Sequence, residues 1–262
     1  MSAGREAARR AAPRPARLRA PASWPGLRVR APAGRRAAVA LATIVACALC
    51  PFARPVAAAA AAAGGAEIQV ARLRYPGGGD WYANPSSLPN WLEQFAARTG
   101  LPAAREEAVV ALDSEDLHRY PLIYLTGHGR IALAEPELAA LRRYLEAGGL
   151  LWADDNYGLD ASFRELMTRL YPDAPLRPLG SDAPIYHAFY DLPGLPKIHE
   201  HDGEPAQGFG VYRGGRLVVF YSFSSDIGDG LEDPEVHGDP PALREAAARM
   251  AVNVLMYALT SP

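Results

Sequence analysis

His199 and His201 flank Glu200 and form a compact run of possible metal ligands. In an extended segment, residues at i and i+2 lie on the same side of the chain, so both imidazoles can face one point. Imidazole binds borderline divalent cations, and a bound cation activates water as a nucleophile. The run therefore predicts a divalent metal ion held by His199 and His201. Glu200 is the expected general base of a metal-assisted hydrolase or lyase.

The remaining ligands are expected where strands end. An apolar run leads directly into Asp154-Asp155-Asn156, and another leads into His128, which lies between two glycines. In open α/β sheets, ligands bind beyond the carboxyl ends of the strands. We expect His128 and one of the two acids, taken as Asp155, to complete the metal site, with Asp154 in a catalytic role. Alternatively, Asp154 caps the next helix and the histidines bind only loop backbone.

A second hypothesis is a non-catalytic module that binds a small polar molecule or a glycan. Aromatic rings stack on sugar faces, while carboxylates and amides accept hydroxyl protons. The predicted contacts are Trp81, Tyr82, Asn156, Tyr157, Tyr186, Lys197 and Asp226. Lys197 is the only lysine in the chain, which reflects either a need for a compact charge or a strong preference for arginine.

A third hypothesis is a serine hydrolase that uses Ser222, Ser224 or Ser225 with His128. It is disfavoured, because the sequence contains no Gly-x-Ser-x-Gly motif.

Patterns typical of strands and helices alternate between residues 67 and 260. Strands are predicted at 67–75, 107–112, 121–126, directly after Gly148-Gly149, and in a hairpin at 208–213 and 216–223. Helices are predicted at 87–99, 136–147, around 163–170 and at 241–259, and residues 172–207 form a long proline-rich loop. This alternation predicts one α/β domain, residues 67–262, with a doubly wound, mainly parallel sheet flanked by helices and an antiparallel hairpin near the C-terminus.

The N-terminal part of the chain is strongly basic, whereas the rest is acidic. Residues 1–36 hold ten arginines and one acid, whereas residues 67–262 hold 28 acidic against 16 basic residues, a net charge of about −12. Binding to nucleic acid needs a basic patch, so the acidic part argues against a nucleic-acid partner. The only cysteines, Cys47 and Cys50, precede this part.

Residues 1–66 are interpreted as an Arg/Ala-rich extension and secretion signal. A basic region is followed by a short apolar run from Ala37 to Cys50 and an alanine tract that suits cleavage up to Ala66. The apolar run is shorter than the roughly 20 residues that a membrane span needs. We therefore expect an exported protein, periplasmic or extracellular. The long basic region leaves the true start codon open, and Arg35-Arg36 only weakly matches a twin-arginine signal.

A membrane-anchored lipoprotein is the alternative location. Ile44-Val45-Ala46-Cys47 resembles a lipoprotein box, so Cys47 is a candidate lipid anchor. The apolar residues that follow Cys47 argue against this, because a mature lipoprotein normally becomes polar there.

The chain resembles the family catalogued as domain of unknown function 4159 over about residues 68–260. The resemblance rests on several short segments together. These are Arg-Leu-Arg-Tyr followed by Gly-Gly-Asp-Trp-Tyr (72–82), Leu-Thr-Gly-His-Gly (125–129), Ala-Asp-Asp-Asn-Tyr-Gly (153–158), Leu-Pro-Lys-Ile-His-Glu-His-Asp-Gly (195–203), Gly-Phe-Gly-Val (208–211), Asp-Ile-Gly-Asp-Gly (226–230) and Asp-Pro-Glu-Val-His (233–237).

The resemblance implies a flavodoxin-like, class I glutamine-amidotransferase-like fold and an exported location, with distant similarity to trehalose-utilisation ThuA-like proteins. It implies no known activity and no catalytic residues. A working class I amidotransferase uses a cysteine nucleophile after a strand, and residues 67–262 contain no cysteine. Glutamine hydrolysis by that route is therefore not expected.

Overall fold

The computed structural model describes residues 67–201 and 203–261. Residues 1–66, which carry the predicted secretion signal and Cys47, lie outside the described residues. Seven strands form one sheet: β1 (Ala71–Leu73), β2 (Ala108–Val110), β3 (Leu122–Gly127), β4 (Leu150–Asp155), β5 (Arg177–Pro178), β6 (Gln207–Arg213) and β7 (Arg216–Phe223). Their order is β2-β1-β3-β4-β7-β6-β5.

Five neighbouring strands, from β2 to β7 in that order, are parallel. The β6–β7 hairpin and β5 extend the sheet in antiparallel fashion. This confirms the predicted α/β class, with a mostly parallel sheet and an antiparallel hairpin near the C-terminus. The strand order reverses between β1 and β3, and such a reversal opens a crevice at the carboxyl ends of the strands.

Six α-helices accompany the sheet within the described residues: α1 (Ser87–Thr99), α2 (Glu135–Glu146), α3 (Asp160–Leu170), α4 (Ile227–Leu231), α5 (Pro234–His237) and α6 (Pro241–Thr260). Successive strand residues point to opposite faces of a sheet, so β4 contributes to two cores. Leu151 and Ala153 pack with α2 and α3 on the first face. Leu150 and Trp152 pack with α1 and α6 on the second face.

Two features differ from the sequence prediction. The short helices α4 and α5 follow β7, in a stretch for which no helix was predicted. The long loop at 172–207 contains β5 and a 3₁₀ turn at Pro184–Tyr186, and the Asn253 amide holds it by donating to the carbonyls of Tyr186 and Tyr190. These contacts are between residues distant in sequence, which local patterns do not report.

None of the described helices combines the length and the apolar character needed to cross a membrane.

Candidate functional site

The segments that follow β1, β4 and β7 at the carboxyl edge of the sheet carry the strained backbone of the protein. Among the described residues, the non-glycine residues with positive φ are Asn84 (58°), Tyr157 (78°), Ser224 (52°) and Asp226 (59°). Each such residue costs on the order of 1–3 kcal/mol, and strain of this kind concentrates at functional sites. Because the strained residues lie at this edge of the sheet, this edge is the candidate site.

His199 lies between two carboxylates at this edge. Its Nδ1 is 2.8 Å from Asp229 Oδ2, and its Nε2 is 2.7 Å from Asp239 Oδ1. The backbone N–H groups of Ile198 and His199 donate to the Ser225 carbonyl at 2.9 and 3.4 Å. Ser225, just after β7, therefore positions the segment that contains His199.

A second imidazole, that of His237 on α5, joins this group. Its ring centre lies 5.0 Å from that of His199. Nδ1 is 3.8 Å from Asp229 Oδ2, and Nε2 is 3.6 Å from Glu232 Oε2. Ligand atoms of His199, Asp229 and His237 all lie within 4.8 Å of one another. Two imidazoles and a carboxylate form a donor set for a borderline divalent cation.

Hydrogen bonds from neighbouring residues hold Asp229 and Glu232 in place. Asn84 Nδ2 donates to Asp229 Oδ1 at 2.7 Å, and Asn84 and Asn156 exchange amide hydrogen bonds at 3.2 and 3.3 Å. The backbone N–H and the hydroxyl of Ser86 both donate to Glu232 Oε1 at 2.9 Å. Asn156, predicted as a ligand contact, thus supports Asn84 through this amide pair.

Asp226 and His201 form a neighbouring pair. Asp226 is fully buried, and His201 Nε2 approaches its Oδ2 to 2.6 Å without hydrogen-bond geometry. Neither oxygen of this carboxylate has a hydrogen-bond partner in the described part of the chain. Burial, followed by the negative charges of Asp154 and Asp229, raises the pKa of Asp226 to about 9. Ligand atoms of His199, His201 and Asp226 form a second group within 4.8 Å of one another.

Asp154, predicted as catalytic, is a fully buried link between elements. It accepts hydrogen bonds from the hydroxyls of Tyr124 and Ser222 and from the Gly228 N–H at the start of α4. Burial raises its pKa to about 6. The acid therefore joins β3, β4, β7 and α4, and its side chain has no exposed surface.

Asp155 points to the opposite face of the sheet. Its Oδ2 accepts from the Tyr221 hydroxyl at 2.9 Å, and its Oδ1 accepts from the Leu159 N–H at 3.1 Å. Burial raises the pKa of Asp155 as well. Side chains alternate along a strand, so consecutive acids cannot both face His199. The structure does not bring Asp155 into the predicted ligand set, and Asp155, not Asp154, binds the start of α3.

His128 pairs with Asp80 and belongs to neither three-residue group in the described chain. Asp80 accepts from the His128 N–H through Oδ1, and its Oδ2 is 3.0 Å from Nδ1. The backbone N–H groups of Gly79 and Asp80 donate to the carbonyls of Arg130 and His128. The glycine-rich loop after β1 thus holds the histidine loop at the strand-order reversal.

Glu200, the predicted general base, is exposed and turned toward its own loop. Its Oε1 accepts from the Gly203 N–H at 2.6 Å, and its Oε2 is 3.9 Å from Lys197 Nζ. Lys197 donates to Ser224 Oγ and the Glu204 carbonyl, both at 2.8 Å. Lys197 therefore links the segment that contains His199 to the turn after β7, where Ser224 has a positive φ.

The aromatic residues separate into exposed and packed rings. Tyr157 is 53% exposed and stacks against His201 with ring centres 5.0 Å apart, and Tyr82 is 63% exposed. Trp81 packs partly against the core of the first face, and Tyr186 is buried. Tyr82 and Tyr157 are thus the rings of the predicted set that are free to contact a ligand.

Sequence reasoning did not single out the residues that complete the site: Asp80, Asn84, Asp229, His237 and Asp239. Asp80, Asp229 and His237 do lie in the short segments 72–82, 226–230 and 233–237 that carry the family resemblance. Their presence in these segments is the signal in the sequence that could have identified them.

Comparison with known proteins gives one family match. The model of the family described as Domain of unknown function (DUF4159) matches residues 69–259. A search of curated proteins finds no match.

Proposed function

We propose a function for this chain, which belongs to the family described as Domain of unknown function (DUF4159): it binds a divalent metal ion through His199, Asp229 and His237 and uses it for hydrolysis or elimination. The donor set suits Zn²⁺, Mn²⁺, Co²⁺ or Fe²⁺. Three protein ligands would leave the fourth position of a tetrahedral cation to water, which such a cation would activate as a nucleophile.

One observation carries this proposal, the carboxylate behind the imidazole of His199. Metal-ligating histidines usually donate their second ring N–H to a carboxylate, which fixes the ring and increases its basicity. Asp239 Oδ1 lies 2.7 Å from His199 Nε2, within hydrogen-bond distance, whereas Glu232 Oε2 lies 3.6 Å from His237 Nε2 and contributes only its charge. Both histidines direct Nδ1 toward the same oxygen of Asp229. The donor atoms of the three side chains therefore converge on one point, as the ligands of a single cation do.

Metal analysis of the purified full chain tests the proposal. We expect at least one equivalent of metal after dialysis, and a lower melting temperature in chelator because the cation binds only the folded state. Asp229→Asn and His237→Gln should each abolish this binding, while His118→Gln, an exposed histidine away from the site, should not. Absence of metal in the wild type, with an unchanged melting temperature in chelator, would refute the proposal.

A carbohydrate-binding module of the cell envelope is the second candidate, supported by the exposure of Tyr82 and Tyr157. Exposed aromatic rings beside carboxylates and amides suit a sugar. We expect soluble glycans to bind without turnover and Tyr157→Ala to weaken this binding at least tenfold. Equal binding by wild type and Tyr157→Ala would exclude this tyrosine as a contact.

The proposed location is outside the cytoplasm, periplasmic or extracellular. Support comes from the composition of residues 1–66, with a lipid anchor at Cys47 as the alternative. N-terminal sequencing of the exported protein distinguishes them. A mature N-terminus near Ala66 supports cleavage, a lipid-modified Cys47 supports the anchor, and a mature end within residues 1–36 contradicts both.

A further inference from the structure

Asp226 is a buried carboxylate that receives no hydrogen bond from the described residues. Its side chain is 1% exposed, and both oxygens are without a hydrogen-bond partner in residues 67–201 and 203–261. Its backbone is held at a φ of 59°, a conformation that costs free energy for an aspartate. Burying a carboxylate without hydrogen-bond donors is costly, and a bound cation would offset that cost.

His201 supplies a second donor at the same point. Its Nε2 lies 2.6 Å from Asp226 Oδ2, and its ring stacks on Tyr157 with centres 5.0 Å apart. The His201 side chain is 34% exposed, whereas Asp226 is buried. A cation bound by both donors would therefore have protein on one side and solvent on the other. Catalytic metal sites keep such an open position.

Lys197 does not provide the missing positive charge by direct contact. Its Nζ donates to Ser224 Oγ and the Glu204 carbonyl, both at 2.8 Å. Further carboxylates lie close by, because His199 faces Asp229 at 2.8 Å and Asp239 at 2.7 Å. A divalent cation is the species that compensates such a group and accepts both oxygen and imidazole donors.

We propose that a second divalent cation binds at Asp226 and His201, next to the cation at His199, Asp229 and His237, so that the site is a two-cation centre. His199 connects the two positions, since its ligand atoms lie within 4.8 Å of those of each group. The inference rests on the proposed function. The second cation faces solvent beside Tyr157 and is positioned to bind an oxygen of the substrate, as the second ion of two-metal hydrolases does.

Metal stoichiometry tests the second site. The full chain is equilibrated with Mn²⁺ or Zn²⁺ by dialysis, and bound metal is measured by elemental analysis. We expect two equivalents in the wild type, one in Asp226→Asn and one in His201→Gln. His201→Gln changes a partly exposed side chain, so it remains informative if Asp226→Asn fails to fold. Asp113→Asn, an exposed aspartate elsewhere, should retain both equivalents.

The outcomes separate the two proposals. A single equivalent that is lost in His237→Gln but retained in Asp226→Asn and His201→Gln overturns the second site and leaves the first. A wild type without metal overturns both. Two equivalents that both persist in Asp226→Asn and His201→Gln overturn the assignment of these ligands.

Discussion

Asp239 Oδ1 lies 2.7 Å from His199 Nε2, on the side of the imidazole opposite Asp229. The second oxygen of Asp239 is buried and has no hydrogen-bond partner in the described part of the chain. Asp239 is thus directed at His199 and at no other described side chain. Its position explains how a histidine in a loop is held with one nitrogen facing the proposed cation.

Replacing Asp239 should therefore weaken metal binding without removing a ligand. We expect Asp239→Asn to lower the affinity for Zn²⁺ by roughly 10- to 100-fold, the usual effect of losing a carboxylate behind a metal-bound histidine. Titration calorimetry on the full chain measures it. Asp182→Asn, on an exposed loop, is the control, and an Asp239→Asn affinity equal to that control would contradict the assigned role.

The buried Asp154 should make stability depend on pH. Its pKa is about 6, above the ordinary value of 3.8, so the folded protein holds this proton more tightly than the unfolded chain does. The contribution of Asp154 to the free energy of unfolding is then largest below pH 4 and falls as the pH rises to about 6, by about 3 kcal/mol.

Urea unfolding between pH 4 and 7, in chelator so that metal binding does not contribute, tests this dependence. Asp154→Asn should show a decline that is smaller by about 3 kcal/mol, because its side chain does not ionise, while Asp155 and Asp226, whose pKa values burial also raises, still do. If wild type and variant lose stability in parallel across this range, Asp154 is not the source of the effect.

Arg72 should be critical for stability and for the position of Asn84. The side chain is 1% exposed, pairs with Glu107 at 2.9 Å, and donates to the carbonyls of Ala83 and Asn84 at 2.6 and 3.1 Å. Arg72→Met leaves Glu107 and these carbonyls without their donor. Breaking a buried pair costs about 3–5 kcal/mol, which denaturant unfolding should reveal.

Arg74→Met provides the matched control, because Arg74 is exposed on the same chain segment. We expect this change to alter the free energy of unfolding by less than about 0.5 kcal/mol. Similar losses in the two variants would contradict the role given to Arg72.

Gly127, at the end of β3, should not tolerate a side chain. Its φ is 131°, and an added Cβ would lie 2.7 Å from the Tyr75 hydroxyl and 2.8 Å from Asp80. Gly127→Ala should therefore destabilise the fold by more than about 2 kcal/mol, through backbone strain and a clash. The clash also displaces Asp80 from His128.

Gly100→Ala is the control that separates backbone strain from steric clash. Gly100 also has a positive φ, 73°, but a Cβ added there would meet no atom within 4 Å. Thermal unfolding of the two variants should show a clearly larger decrease in melting temperature for Gly127→Ala. A decrease no larger than that of Gly100→Ala would show that the space around Gly127 is not limiting.

The sequence by itself determined most of the elements and the edge of the sheet at which the candidate site lies. Apolar periodicity identified the strands and long helices, because a strand or helix must bury one face and the spacing records which. The His-Glu-His spacing identified His199 and His201 as possible ligands. The opposite directions of Asp154 and Asp155 follow from strand alternation once β4 is known to continue through both acids.

Only the tertiary structure decided which side chains meet. His199 contacts Asp229 across 30 residues and Asp239 across 40, and Asn84 contacts Asp229 across 145. Such contacts depend on the paths of loops and of the short helices α4 and α5, whose order comes from packing instead of local propensity. The sequence therefore located a candidate site rich in histidine and acid, while long-range packing decided which of these side chains meet.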